Sequence, residues 1–270
     1  GILLALSIAT RFWRIDTPDS VVFDEYHFGK FINWYNDGSY FFDIHPPLGK
    51  LTLYAAGKLF GYDHTVCEYE RIHQVYKPEC KFLILRYTAA TFGCLLPPLT
   101  YFITRELGAS RPAGFLAGSL IVFDMLNLIE SRLILVDSQL MFYSALALYT
   151  ALRYWRRLAE AEEFPNRRLS KRERNWWILA VGMTCGAAIS IKWTALATPG
   201  MIAIESTFGV FGFVKRSFPL RDLIKIAAIA ISQYAFWFYC HFSALPYSGE
   251  GDAFMPWEFQ RTLINNTYYD

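Results

Sequence analysis

Leu223-Ile224-Lys225-Ile226-Ala227-Ala228-Ile229-Ala230-Ile231-Ser232-Gln233-Tyr234-Ala235-Phe236-Trp237-Phe238-Tyr239-Cys240-His241-Phe242 is an apolar run with one lysine near its start. At 1.5 Å of rise per helical residue it reaches about 30 Å, the thickness of a bilayer's hydrocarbon core, so it reads as a membrane-spanning helix. Six further apolar segments precede it: Gly1 to Trp13, Phe82 to Thr104, Pro112 to Ile129, Leu133 to Leu152, Trp176 to Ile191 and Trp193 to Val214. All but the first are long enough to span, or nearly so with tilt. A hydrophobic content of 54% and an aromatic content of 18% agree, with Trp and Tyr near the run ends where their rings suit the headgroup layer. The expected fold class is an all-α integral membrane protein, a transmembrane helix bundle.

Charge sets the orientation. Arg105 and Arg111, Lys215, Arg216 and Arg221, and the basic connector Arg153 to Arg174 mark three cytosolic loops. Alternation then puts Ile15 to Lys81, the turn Glu130 to Arg132, the join at Lys192 and the tail after Phe242 on the lumenal side. The first lumenal loop reads as a structured shelf. Phe28, Phe31, Ile32 and Tyr35, and then Leu48, Leu51, Ala55 and Leu59 after Pro46-Pro47, repeat at helical spacing and predict two amphipathic helices at the membrane surface. Residues 1–242 are expected to form the membrane part and 243–270 a lumenal tail, and the abrupt ends are those expected of a piece of something longer. A net charge of +2 argues against a nucleic-acid partner. Cys94, Cys185 and Cys240 fall inside apolar runs as small hydrophobes, whereas Cys67 and Cys80 flank a polar stretch and are candidates for a disulfide. Asn265-Asn266-Thr267 is a glycosylation sequon on the lumenal side.

Asp24-Glu25 follows Val21-Val22-Phe23 close to the lumenal end of the first span. Adjacent carboxylates there suit a general base; the structural alternative is an acidic turn that caps the next helix. Asp43-Ile44-His45-Pro46-Pro47 is a second polar cluster. With Asp24, Glu25 and His27 it resembles a loose divalent-metal set, but the spacing matches no standard one, so no metal is expected. His27, His45, Asp43 and also Asp137 read instead as groups that orient substrate. Arg86, Arg132, Asp137 and Lys192 are charges at the edge of lipid, each a functional-site candidate unless it snorkels to the interface. Topology gathers them at the level of Asp24-Glu25. Cations facing a carboxylate pair at a membrane edge suit a sugar carried on a lipid phosphate: an Arg or Lys stabilises the leaving phosphate while a carboxylate deprotonates the acceptor hydroxyl.

Phe23-Asp24-Glu25-Tyr26-His27-Phe28-Gly29-Lys30 and Phe41-Phe42-Asp43-Ile44-His45-Pro46-Pro47-Leu48-Gly49-Lys50 resemble the first lumenal loop of protein O-mannosyltransferases. So do Leu85-Arg86, Ser131-Arg132-Leu133-Ile134-Leu135-Val136-Asp137-Ser138 and Ile189-Ser190-Ile191-Lys192-Trp193. Ser248-Gly249-Glu250-Gly251-Asp252-Ala253-Phe254-Met255 is similar to that family's lead-in to a lumenal MIR domain. The resemblance implies a GT-C glycosyltransferase fold in the endoplasmic reticulum membrane, multi-pass, with the active site facing the lumen. It implies transfer of mannose from dolichyl phosphate mannose to Ser or Thr of secretory proteins, with inversion and without a cofactor. Asp24 is then the base, Glu25 its acceptor-facing neighbour, Arg86 the donor-phosphate contact, and Lys192 and Arg132 further phosphate contacts. Gly29-Lys30 and Gly49-Lys50 resemble the Pmt2/POMT2-like branch, which implies a heterodimer with a subunit of another branch. The segment Asp63 to Lys81 departs from the family pattern. Two other readings stay open: a transferase of the same architecture with a lipid or glycan acceptor, and a non-catalytic partner subunit. A transporter predicts inverted repeats and broken mid-membrane helices, and the sequence shows neither.

Overall fold

The computed structural model describes residues 1–212 and 217–266. Lys215, Arg216 and the sequon's Thr267 therefore lie outside the described residues. Among those described there is no strand, only isolated bridges at Ser20 with Val75, Ser39 with Tyr247 and Tyr247 with Ile264.

Helix α1 is Ile2–Phe12, followed by two helices of the first loop, α2 (Glu25–Asp37) and α3 (Leu48–Phe60). The bundle then runs through α4 (Leu83–Glu106), α5 (Arg111–Phe123), the short α6 (Met125–Glu130), α7 (Asp137–Glu163), α8 (Lys171–Ile189), α9 (Ala197–Phe208) and α10 (Leu220–Ala244), and α11 (Trp257–Gln260) closes it. Local chemistry explains the boundaries. Ser110 caps α5 by accepting from the Ala113 N–H at 3.3 Å, Asp124 caps α6 through Asn127, and Ser170 caps α8 through Glu173. Helices α2 and α3 end on left-handed Gly38 and Gly61.

Both first-loop helices form where the spacing predicts them, but their faces differ. In α2 the residues Phe28, Phe31, Ile32 and Tyr35 are buried, each contributing about 1.5–3 kcal/mol of apolar burial. In α3 the inward face is Leu48, Lys50 and Leu53 with Gly57, while Ala55 and Leu59 of the expected stripe point away from the core. The connector beyond Leu152 is also corrected: α7 continues to Glu163, its basic residues pinned by Arg153 and Arg156 to Glu106 and by Arg157 to Glu160 and Glu173. The expected run from Pro112 to Ile129 is broken at Asp124, whose extended backbone separates α5 from α6.

By length and composition one described helix, Leu220–Ala244, is apolar and long enough to cross a membrane, and Ile2–Phe12 and Arg111–Phe123 are shorter apolar helices. Helix α4 has the length, yet its threonines, arginines and the internal Pro97-Pro98 dilute it. Outward faces are nonetheless apolar: Phe115, Leu116 and Leu120 on α5, Ile204 and Phe208 on α9, and Ile224, Ile231 and Phe236 on α10 are all exposed. Two cores lie beneath. One joins α2, α3, the start of α4 and residues 133–136; the other joins α7, α8, α9 and α10 around Tyr154, Trp155 and Phe218.

Candidate active site

Asp24 and Glu25 are neighbours in the chain with opposite environments. Phe23, exposed and at a φ of 50°, turns the backbone sharply just before them, a conformation that a bulky residue adopts only under constraint. Glu25 enters α2 and is fully buried. Its Oε1 accepts from Arg86 Nε at 2.8 Å and from the Ile134 N–H at 2.9 Å. Its Oε2 accepts from Arg86 Nη2 at 2.9 Å, the Val22 N–H at 2.9 Å and the Tyr76 hydroxyl at 3.1 Å. Burying a carboxylate is costly unless every lone pair is met, and here they are.

Arg86 is equally enclosed. Besides Glu25 it donates to the carbonyls of Ile15 at 3.1 Å, Pro18 at 2.7 Å and Ser20 at 3.2 Å. A guanidinium has five N–H groups, and all five are engaged within the protein. The expectation that Arg86 contacts a donor phosphate is therefore corrected: no N–H remains for it. Glu25 likewise presents no free edge to an acceptor. Arg132 is a clamp as well, donating to the carbonyls of Thr10, Arg11 and Trp13 at 3.1, 3.1 and 2.6 Å and of Arg14 at 2.9 Å. It holds the end of α1, where unpaired helix carbonyls accumulate.

Asp24 contrasts with all of these. It is half-buried at the N-terminus of α2, its carboxylate caps nothing, and among the described residues its side chain has neither a hydrogen bond nor an ion pair. It is the free carboxylate beside the sealed one.

A second group assembles from three distant stretches. The Leu48 N–H donates to the Ser190 carbonyl at 2.9 Å, and Gln139 Nε2 to the Gly49 carbonyl at 3.2 Å. A Cβ on Gly49 would stand 2.7 Å from Val136, so the glycine permits the contact. This junction brings the Lys192 ammonium to the Asp137 carboxylate at 2.7 Å, a half-open pair with side chains 17% and 24% exposed. His45 lies in the field of Asp43, Lys50, Lys192 and Asp137; burial, the largest influence, lowers its pKa below the ordinary histidine value, with the two lysines in the same direction and the two carboxylates opposing. Lys50, fully buried, donates to Asp43 and to the His45 carbonyl at 2.7 Å; burial draws its pKa below the usual lysine value against the pull of Asp43. A cavity of about 230 Å³ opens between these residues and α10, walled by Phe41, Phe42 and Phe238 with Asp43, Lys50 and His241 at its polar end.

His27 is exposed and packs its ring edge-on to Tyr26 at 4.9 Å, outside this group. No three His, Cys, Asp or Glu side chains among the described residues converge as metal ligands do. Cys67 and Cys80 form a disulfide. Asn265 is exposed at a φ of 64°. Lys50, Tyr76, Arg11 and His241 complete the picture and carry no expectation from sequence. Arg11 had a signal: it is a charge inside an apolar stretch, fully buried and bonded to Asn127 at 2.9 Å.

Residues 1–246 match the family described as dolichyl-phosphate-mannose-protein mannosyltransferase. The chain belongs to this family. It is 33% identical over 274 residues to dolichyl-phosphate-mannose–protein mannosyltransferase 4 of Candida albicans, covering 97% of this chain and 35% of that relative. It is 30% identical over 278 residues to protein O-mannosyl-transferase 2 of Drosophila melanogaster, covering 98% of this chain and 35% of the relative. Among solved structures, the S. cerevisiae protein O-mannosyltransferase Pmt1-Pmt2 complex bound to the sugar donor is similar with a TM-score of 0.82 and 27% identity, over 98% of this chain and 36% of that one. The chain thus spans about a third of the length of the curated relatives it matches. The glycines that suggested one branch have local reasons to be glycine: Gly49 under Val136, and Gly29 under Tyr69, whose ring a Cβ would meet at 2.2 Å.

Proposed function

We propose that this chain carries the base and the donor-phosphate contact of a transferase that moves mannose from dolichyl phosphate mannose to Ser or Thr hydroxyls of secretory proteins. Asp24 takes the proton of the acceptor hydroxyl. The hydroxyl oxygen attacks the anomeric carbon from the side opposite the phosphate, the carbon–oxygen bond to phosphate breaks, and its electron pair leaves with dolichyl phosphate. One displacement gives inversion. Lys192, with Asp137 beside it, is the cation open enough to meet the phosphate charge as it grows, and His45 and Asp43 orient the sugar or acceptor. The reaction written this way calls for no metal and no cofactor.

The observation that carries this reading is the unpartnered Asp24 carboxylate held next to the closed Glu25–Arg86 node. The apolar outward faces of α5, α9 and α10 support a multi-pass GT-C bundle in the endoplasmic reticulum membrane, with the first loop lumenal. The donor-bound relative supports the donor class, and its two-subunit assembly supports a heterodimer with another family member.

The test is transfer of labelled mannose from dolichyl phosphate mannose to a Ser/Thr-rich peptide by the full-length protein and its Asp24→Asn variant. Loss of the general base predicts a fall in turnover of about 10²–10⁴-fold. Wild-type turnover in the variant removes Asp24 as base. Transfer to a lipid or glycan but not to the peptide replaces the acceptor.

A further inference from the structure

The segment Asp63 to Lys81, which departs from the family pattern, reaches the site directly. Its residues 73–76 lie along 19–21: the Val21 N–H donates to the Gln74 carbonyl at 2.8 Å, the His73 N–H to Val21 at 2.8 Å, and the Tyr76 N–H to Asp19 at 2.9 Å. Its other half sits on α2. Tyr69 is pressed against Gly29, and Asn33 accepts from the Tyr62 hydroxyl at 2.7 Å while donating to the Cys67 carbonyl at 2.7 Å. The Cys67–Cys80 disulfide joins the two halves.

At the inner end of this clamp is Tyr76. Its ring stacks on Phe82 with centroids 3.9 Å apart, and its hydroxyl donates to Glu25 Oε2. Burial and the Glu25 charge raise the phenol's pKa well above its ordinary value, so it remains a donor. Glu25 in turn closes the turn on which Asp24 stands: its carboxylate accepts from the Val22 N–H, and its own N–H donates to the Val22 carbonyl at 3.0 Å. Asp24, between them, has no side-chain hydrogen bond or ion pair of its own to fix its direction. Its aim depends on that ring.

We propose that Tyr76, held by the disulfide-closed segment, is a positioning residue for the Asp24 base, acting through Glu25. The proposal rests on the reading of Asp24 given above. Removing the hydroxyl loosens the turn without emptying the ring's place in the core, so the chemical step suffers and substrate binding does not.

The experiment uses the full-length protein with dolichyl phosphate mannose and a Ser/Thr-rich peptide, measuring kcat, both KM values and melting temperature. Tyr76→Phe should lower kcat about tenfold, as expected for a lost hydrogen bond to a charged group. Both KM values should stay within about twofold of wild type. Tyr62→Phe removes a hydroxyl just before that segment, where it bonds Asn33 of α2, and should leave kcat at the wild-type level. Joint Cys67→Ser and Cys80→Ser replacement should reproduce the kcat loss; should that variant fail to fold, Tyr76→Phe against Tyr62→Phe decides. An inactive Asp24→Asn with wild-type kcat in Tyr76→Phe overturns the positioning role and leaves the base standing. Equal kcat losses in Tyr76→Phe and Tyr62→Phe overturn it as general loosening. An active Asp24→Asn removes the base and the positioning role together.

Discussion

Two buried acid–base pairs sit at opposite ends of this molecule, and only one is complete. Glu25 and Arg86 are both fully enclosed, and every polar atom of the two head groups has a partner. At the other end Asp222 of α10 accepts at one oxygen from Arg174 Nε at 2.9 Å and from the Tyr154 hydroxyl at 2.6 Å, but its Oδ1 has no hydrogen-bond partner. Arg174 is 28% exposed. The difference follows from what each pair holds. Asp222 ties together α7, α8 and α10, whose backbones are already fixed by their own hydrogen-bond ladders. Arg86 fixes the carbonyls of Ile15, Pro18 and Ser20, a stretch outside any helix and flanked only by the isolated bridge of Ser20 with Val75, and Glu25 fixes the turn at Val22 and the chain at Ile134. A helix contact tolerates an unmet oxygen; a site built on irregular backbone requires a closed network.

The sharpest way to break this comparison is to remove one partner from each pair. Arg86→Ala leaves Glu25 as an uncompensated buried charge and should destabilise the fold by about 3–5 kcal/mol. Asp222→Asn leaves Arg174 access to solvent and should cost no more than about 1.5–3 kcal/mol. Denaturation of the purified full-length variants checks the order, and equal losses would erase the distinction.

The half-open Asp137–Lys192 pair should respond in kinetics instead of stability. Lys192→Met is expected to lower kcat/KM for dolichyl phosphate mannose by about 10–100-fold, in proportion to the phosphate charge it no longer meets. An unchanged donor dependence would return that role to an unassigned group.

The smallest effect is expected from pH. The pKa of His45 is lowered in the folded protein, mainly by burial, with Asp43, Lys50, Lys192 and Asp137 around it. Just below pH 6.5 the unfolded chain therefore binds the proton more readily than the folded one. The stability contributed by neutral His45 is full above that pH and is lost as pH falls through the folded value. Melting temperatures at pH 7 and pH 5 should diverge less in His45→Asn than in wild type.

Much of the helix order is legible in the sequence because apolar periodicity is local. Phe28, Phe31, Ile32 and Tyr35 mark α2 within eight residues, and the caps at Ser110 and Ser170 are each read from a few neighbours. The site is only partly legible, because its decisive bonds are not local. Arg86 looks like an open cation in an apolar run; its partner Glu25 stands 61 residues earlier, and that pairing turns a ligand contact into scaffold. Lys50 is hidden for the opposite reason: its charge excludes it from an apolar pattern, yet Asp43 lets it be buried. Tyr76 lies in the polar segment Asp63 to Lys81, outside every motif that carries the family resemblance, so no motif points to it.

The central claim is that adjacent carboxylates divide the work, Glu25 holding the site and Asp24 acting in it. The direct test is the melting temperature of substrate-free full-length Asp24→Asn and Glu25→Gln. Asp24 has no partner to lose, so its variant should melt within about 1 °C of wild type, whereas Glu25→Gln should fall by several degrees, at roughly 2–4 °C per kcal/mol. A fall in Asp24→Asn as large as that in Glu25→Gln would contradict the account.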